Sequence, residues 1–176
     1  MKKIQLLVIL IMLMFIFTSC SILSNSMSLF NQSDESIADK TFEKLINAIE
    51  TSNKETVKAM FSNAIQENEN LEEKSLQLLE FIKGDIVSYS LSADSGVGAD
   101  YRIKKGKRKK EIQSSFRIVT TESEYYMAIK ECVKDDFDSS NVGVLSIYII
   151  KAEDWKEDCV YRGGGEWTPG ITIDGR

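Results

Sequence analysis

The spacing of apolar residues changes once along this chain, at Gly84, and that change limits the fold more than any other feature. Before it the spacing is helical. Ile37, Phe42, Leu45, Ile46 and Ile49 lie on one face of a segment that Ser33 can cap, with Asp34 and Glu35 at its positive end. Asn53 opens a second helix bearing Val57, Met60, Phe61 and Ala64 on one side. Asn70 with Glu73 forms a capping-box-like start for a third, whose stripe is Leu71, Leu76, Leu79, Phe81 and Ile82 and which Gly84 ends. Beyond Gly84 the period is two. Val87, Tyr89, Leu91 and Ala93 alternate with more polar residues, and after a loop at 94–98 so do Ile112, Ser114, Phe116 and Ile118. Tyr125, Met127, Ile129 and Val133 form the buried-type face of a further strand, with Tyr126, Lys130 and Cys132 opposite. Val142 to Ile150 is apolar except at Gly143 and Ser146, as in a strand covered on both faces. Helices first and strands afterwards, joined by connections too short for crossovers, predict an α+β fold. Its N-terminal helices pack on an antiparallel sheet of four or more strands.

The first twenty residues address the chain rather than fold it. Lys2 and Lys3 precede an apolar run from Ile4 to Phe17 broken only by Gln5, and Thr18-Ser19-Cys20 closes it. This is the layout of a secretory signal, and the run falls short of the ~20 residues of a spanning helix. Phe17-Thr18-Ser19-Cys20 resembles a lipobox, with Phe17 where leucine is usual; the resemblance implies that Cys20 is lipidated and becomes the first mature residue. Residues 21–33 are polar, rich in Ser and Asn, and without periodicity. The expected organisation is a signal peptide at 1–19, a lipid-anchored tether at 20–33, and one α+β domain at 34–176. The expected location is the outer face of the cytoplasmic membrane.

Composition removes whole classes of chemistry. The chain has no histidine, which excludes His-containing zinc sites, Ser-His-Asp and Cys-His catalysis and histidine pH switches. Without Lys2 and Lys3, 20 basic residues face 27 acidic ones, a formal net charge of −7. Such a domain is a poor partner for nucleic acid, where phosphate attraction dominates affinity. No cofactor and no metal is expected. Asp135, Asp136 and Asp138 lack calcium-loop spacing and read as a solvated turn. Outside the cell a disulfide between Cys132 and Cys159 is chemically allowed, although two separate thiols satisfy the sequence equally.

Three stretches carry a family resemblance: Lys107 to Phe116 (KRKKEIQSSF), Asn141 to Asp154 (NVGVLSIYIIKAED) and Gly165 to Ile171 (GEWTPGI). Together with Ile37-Ala38-Asp39 and Val57 to Ser62 in the helical half, they resemble the domain-of-unknown-function 5104 family of Gram-positive bacterial lipoproteins. The resemblance implies a cystatin-like, nuclear-transport-factor-like cone in which helices pack in the concave side of a curved sheet. It implies no activity.

A cone leaves room for a pocket, and Tyr89, Asp94, Arg117, Tyr125 and Glu131 are the strand residues that could present polar groups to one. Glu131 shares the parity of Tyr125, Met127 and Ile129. A carboxylate on that face would have a raised pKa and suit acid–base work. Because buried unpaired Glu is rare, the commoner expectation is that a strand end or bulge lets it reach solvent. Lys104 to Lys110 is a dense basic run with Gly106 at its centre. It reads as a solvated hairpin turn, or else as a contact to anionic lipid or wall polymer. The Gly-rich segment from Tyr161 to Gly170 offers Tyr161 and Trp167 to a partner, or places Trp167 as a plug on the core. The leading expectation is a lipid-anchored binding or interaction module for a small ligand or an envelope protein. The alternatives are a cofactor-independent enzyme using a pocket carboxylate and tyrosine, and a module held to an anionic surface by residues 104–110.

Overall fold

Helix α1 (Asp34–Glu50) places Asp34 and Glu35 in its first turn and buries Ile37, Ala38, Phe42, Leu45, Ile46, Ala48 and Ile49. A computed structural model of the chain describes residues 32–67, 70–93, 96–155 and 167–175. Helix α2 (Lys54–Met60) begins at Asn53, whose side chain accepts the Thr56 amide. It stops at Met60 and does not run on to Ala64. Phe61 turns extended and bridges Val144, and the Ser62 amide donates to the Val144 carbonyl at 2.9 Å. A sheet carbonyl thus takes over where the helix would have continued, and Ala64 is exposed in the short helix α3 (Asn63–Gln66).

Helix α4 (Leu71–Phe81) departs from the sequence reading twice. Asn70 has a helical backbone (φ −89°, ψ −4°) and its side chain makes no capping bond. The buried face is Leu71, Ser75 and Leu78, continued by Ile82, while Leu76 is exposed. Ser75 can occupy a buried position because its hydroxyl donates to the Leu71 carbonyl at 2.8 Å, so it asks nothing of the core.

Six strands form one sheet: β1 (Ile86–Leu91), β2 (Val97–Lys104), β3 (Lys107–Thr120), β4 (Glu124–Asp135), β5 (Gly143–Lys151) and β6 (Gly170–Asp174). Their order is β1-β3-β4-β5-β6, and β2 also pairs with β3. Strand β3 is long enough for β1 to take one half of it (Phe116 to Thr120) and β2 the other (Lys107 to Ser114). The α+β expectation holds. The sheet is antiparallel except at β6, which runs parallel to β5. The period-two reading contains neither β2 nor β6. It also places Val87 inside, whereas a bulge between Ile86 and Ser88 turns Val87 out to 64% exposure.

The face against the helices carries Ile112, Phe116 and Ile118 from β3, Tyr125, Met127 and Ile129 from β4, and Val144, Ile147 and Ile149 from β5. Phe42 stacks on Phe116 with ring centres 3.7 Å apart. Ala128, Tyr148 and Ile150 form a second cluster on the opposite face, against which Tyr126 and Trp167 pack. Strand β5 is therefore covered on both sides, as its unbroken apolar run predicts.

Candidate functional site

Glu131 keeps the parity of its strand and lies buried, at 8% exposure, opposite Ile112 of β3. A register shift between Lys130 and Glu131 does occur against β5, yet it does not carry the carboxylate to solvent. The expectation of a solvated Glu131 is thereby corrected. Thr41 of α1 donates its hydroxyl to Glu131 Oε2 at 2.8 Å, and Oε1 has no hydrogen-bond partner among the described residues. Burial pushes the Glu131 pKa up to about 7, only partly opposed by the Thr41 bond and the Lys110 charge. An acid here is half protonated near neutral pH.

Around it the sequence reading missed a set of polar groups. Lys110, one strand-face step before Ile112, is 2% exposed and bonds Asp34 Oδ1 at 2.7 Å. Its ammonium also lies 5.3 Å from the Tyr101 ring centre, and the Tyr101 hydroxyl reaches Asp34 Oδ1 and Oδ2 at 2.8 and 2.9 Å. Burial works against the Lys110 charge, but the bonds to Asp34 and Tyr101 outweigh it and raise the pKa. The Lys110 bond holds the Asp34 carboxyl below its ordinary range. Extending the alternation Ile112, Ser114, Phe116 back by two residues would have found Lys110 on the apolar face. Thr41, ninety residues from Glu131 in sequence, gives no such signal. Beside Thr41 lies a shallow surface depression of about 290 Å³ lined by Lys40, Lys44, Ala59, Met60 and Val144.

The two tyrosines expected beside Glu131 are elsewhere. Tyr125 is fully buried six residues along β4, roughly 20 Å away. Its hydroxyl accepts the Lys83 amide at 2.9 Å and donates to the Phe81 carbonyl at 3.3 Å, tying down the exit of α4. Tyr125→Phe should therefore cost about 1–2 kcal/mol in a urea melt, and an unchanged midpoint would show that the bond is immaterial. Tyr89 sits on the outer strand at 42% exposure with its edge toward Phe42, ring centres 5.3 Å apart. Arg117 is spent on Glu124 in an exposed pair at 2.6 Å. Asp94 lies outside the described residues. Tyr89, Tyr125 and Glu131 line none of the surface depressions described.

The basic run is a hairpin, with Lys105 (φ 51°) and Gly106 (φ 77°) as a two-residue turn between β2 and β3. It is not uniformly solvated. Lys109 pairs with Glu111 at 2.7 Å and Asp135 at 3.6 Å, and Lys110 is buried as described. The aspartate turn is likewise only partly solvated. Asp135 is 6% exposed and accepts the amides of Phe137 and Asp138 and the Asn141 side chain, which hold its carboxyl low against the opposing effect of burial.

Trp167 packs on the outer cluster of Ala128, Tyr148 and Ile150, on the sheet face away from the helices. Tyr161, the other half of the partner loop, lies outside the described residues, as do Cys20 and Cys159. Cys132 is buried, and burial pushes its thiol up to about 11.

A sequence profile described as Domain of unknown function (DUF5104) matches residues 44–152, well over half of the chain. The match spans the helices from mid-α1 and strands β1 to β5. It leaves out the Ile37–Asp39 and Gly165–Ile171 stretches of the resemblance drawn above. No curated protein matches the chain.

Proposed function

The chain belongs to the DUF5104 family, and from that footing we propose that it is a lipid-anchored extracytoplasmic module that acts by binding at its surface. The observation that carries the surface reading is a filled interior. Phe42 and Phe116 are stacked, and Tyr125, Met127, Ile129, Ile147 and Ile149 are at most 1% exposed beneath the helices. A small apolar ligand finds no space there among the described residues, and the depressions described lie at the surface. Recognition then falls to exposed elements. The anchor follows from Lys2-Lys3, the apolar run to Phe17, and Cys20 after two small residues. A diacylated cysteine meets the need for more than one chain in lasting attachment.

The enzyme reading has one observation in its favour, the Glu131 carboxyl held near neutral pH. Its bonded neighbour is Thr41, and the Tyr125 hydroxyl is engaged with backbone at the far end of the strand. Two groups that must act on one substrate are thus apart, and binding remains the better account.

Growth on a labelled fatty acid tests the anchor. The wild-type chain should carry label, and Cys20→Ser should lose it and leave the membrane fraction or stay unprocessed. Undiminished labelling and retention of Cys20→Ser would dispose of the anchor.

A further inference from the structure

We propose that the β2–β3 hairpin seats its tip end-on on an anionic lipid surface, with Ile103 entering the interface from one face of the hairpin and the cations of Lys104, Lys105 and Lys107 meeting it from the turn and the other face. The inference rests on the anchored reading only for what brings the surface near.

The tip is built at a cost to the fold. Lys104 stands directly opposite Lys107 in the ladder, and like charges so placed repel. Among the described residues no carboxylate forms an ion pair with Lys104, Lys105 or Lys107, whereas Arg108, Lys109 and Lys110 of the same run each have a carboxylate partner. The turn at Lys105 and Gly106 matches strand twist, so the arrangement is preformed. The next rung pairs Ile103 with Arg108, and Ile103 is 74% exposed, more than any other large apolar residue described. On the hairpin's other side Arg102 and Lys107 lie over the exposed Phe137 ring at 5.5 and 5.6 Å. A soluble polyanion needs only the cations. An exposed apolar side chain one rung from them suits a lipid interface met end-on, where it enters the acyl boundary while ammonium groups meet headgroup phosphates.

Midway along its ladder, at the Tyr101–Lys110 rung, the hairpin also holds the start of α1. Lys110 and Tyr101 both bond Asp34, the first residue of α1. A tether of residues 20–33 can reach at most about 50 Å, which limits how far the domain can stand from the membrane. A docked hairpin that holds the start of α1 sets the domain's orientation.

The test is acetylation footprinting of the processed, full chain, read by mass spectrometry on phosphatidylcholine vesicles with and without phosphatidylglycerol. Lys104, Lys105 and Lys107 should react about tenfold more slowly on the anionic vesicles, while exposed Lys83 should not change. High salt should abolish the protection. So should Ile103→Asp, whose fold is checked by an unchanged thermal midpoint. If that variant unfolds, Lys104→Gln/Lys105→Gln/Lys107→Gln takes its place, with loss of vesicle-dependent hydrogen-exchange protection at the 103–108 amides as the readout. Equal labelling on both vesicle types overturns the proposal. Protection that soluble polyphosphate reproduces, and that Ile103→Asp leaves intact, also overturns it in favour of a wall polymer. Failure of the anchor is seen separately, as a chain that does not float with phosphatidylcholine vesicles. Flotation on phosphatidylglycerol vesicles then reads docking directly and should weaken roughly a hundredfold in the triple variant.

Discussion

Glu131→Gln is expected to stabilise the fold above neutral pH by about 3 kcal/mol. The carboxyl is buried, its pKa is raised to about 7 from an ordinary 4.5, and Oε1 has no partner among the described residues. A raised acid pKa means that the folded state holds a proton which the unfolded state releases. The associated stability is fully present below the unfolded pKa and is lost as pH rises to the folded one. The wild-type protein should thus lose stability between about pH 4.5 and 7 and then level off, a slope that the amide removes. Asp34, Glu111 and Asp135, whose pKa values are lowered, lose their contribution only on further acidification and leave this window clear. Urea melts across the range decide it: a variant that keeps the wild-type slope would show Glu131 to be ionised or solvated in the folded chain. The wild-type residue is then a cost that the fold carries, as expected where an ionisable group is kept for something other than packing.

Gly143→Ala should act in the opposite direction and destabilise the fold by about 3 kcal/mol or more. Gly143 opens β5 at φ +129°, a backbone conformation that side-chain-bearing residues rarely adopt. A Cβ there would stand 2.7 Å from the Ser62 amide nitrogen, 2.9 Å from its Cα and 3.1 Å from the Met60 carbonyl oxygen. Ser62 cannot easily retreat, since its amide is bonded to the Val144 carbonyl. Gly98→Ala on β2 is the control, with nothing within 4 Å of the added carbon. If both variants melt within about 0.5 kcal/mol of wild type, the close passage of the α2 exit beside β5 is not rigid.

Where the chain's periodicity is strong, it foretold the fold. The α1 stripe, the change of period at Gly84, the inward parity of β3 and β4, and the two-sided burial of β5 were all legible. What was lost has particular causes. Strand β2 escaped because its helix-facing positions end in Tyr101 and Ile103, which stand beyond the core, and its other face is polar. The α4 stripe was misplaced because Ser75 satisfies its own hydroxyl and so hides among apolar residues. The α2 end was set by a carbonyl of β5, more than eighty residues on, which no local signal records. For the site, parity found Glu131 but not its surroundings. The frequency of buried carboxylates argued against burial, and tertiary contact with Thr41 decided for it. The tyrosines were grouped with Glu131 because one strand carries Tyr125 and Glu131 on the same face. A shared face does not make neighbours of residues six positions apart.

Strand β6 is short, yet it changes what the neighbouring strand exposes. The run Val144 to Ile150 has no charge, no proline and a majority of β-branched residues, the composition of segments that stack into cross-β assemblies. With β6 in place its ladder is closed from Ser146 opposite Gly170 to Ile150 opposite Asp174, and Tyr148 donates to the Asp174 carboxylate at 3.1 Å. Without it, β5 would be a bare apolar edge open to a second copy of itself. The guard is made after the strand it covers. Until it has emerged and docked, the chain carries an unprotected aggregation seed, and a truncation before Gly170 would make that state permanent.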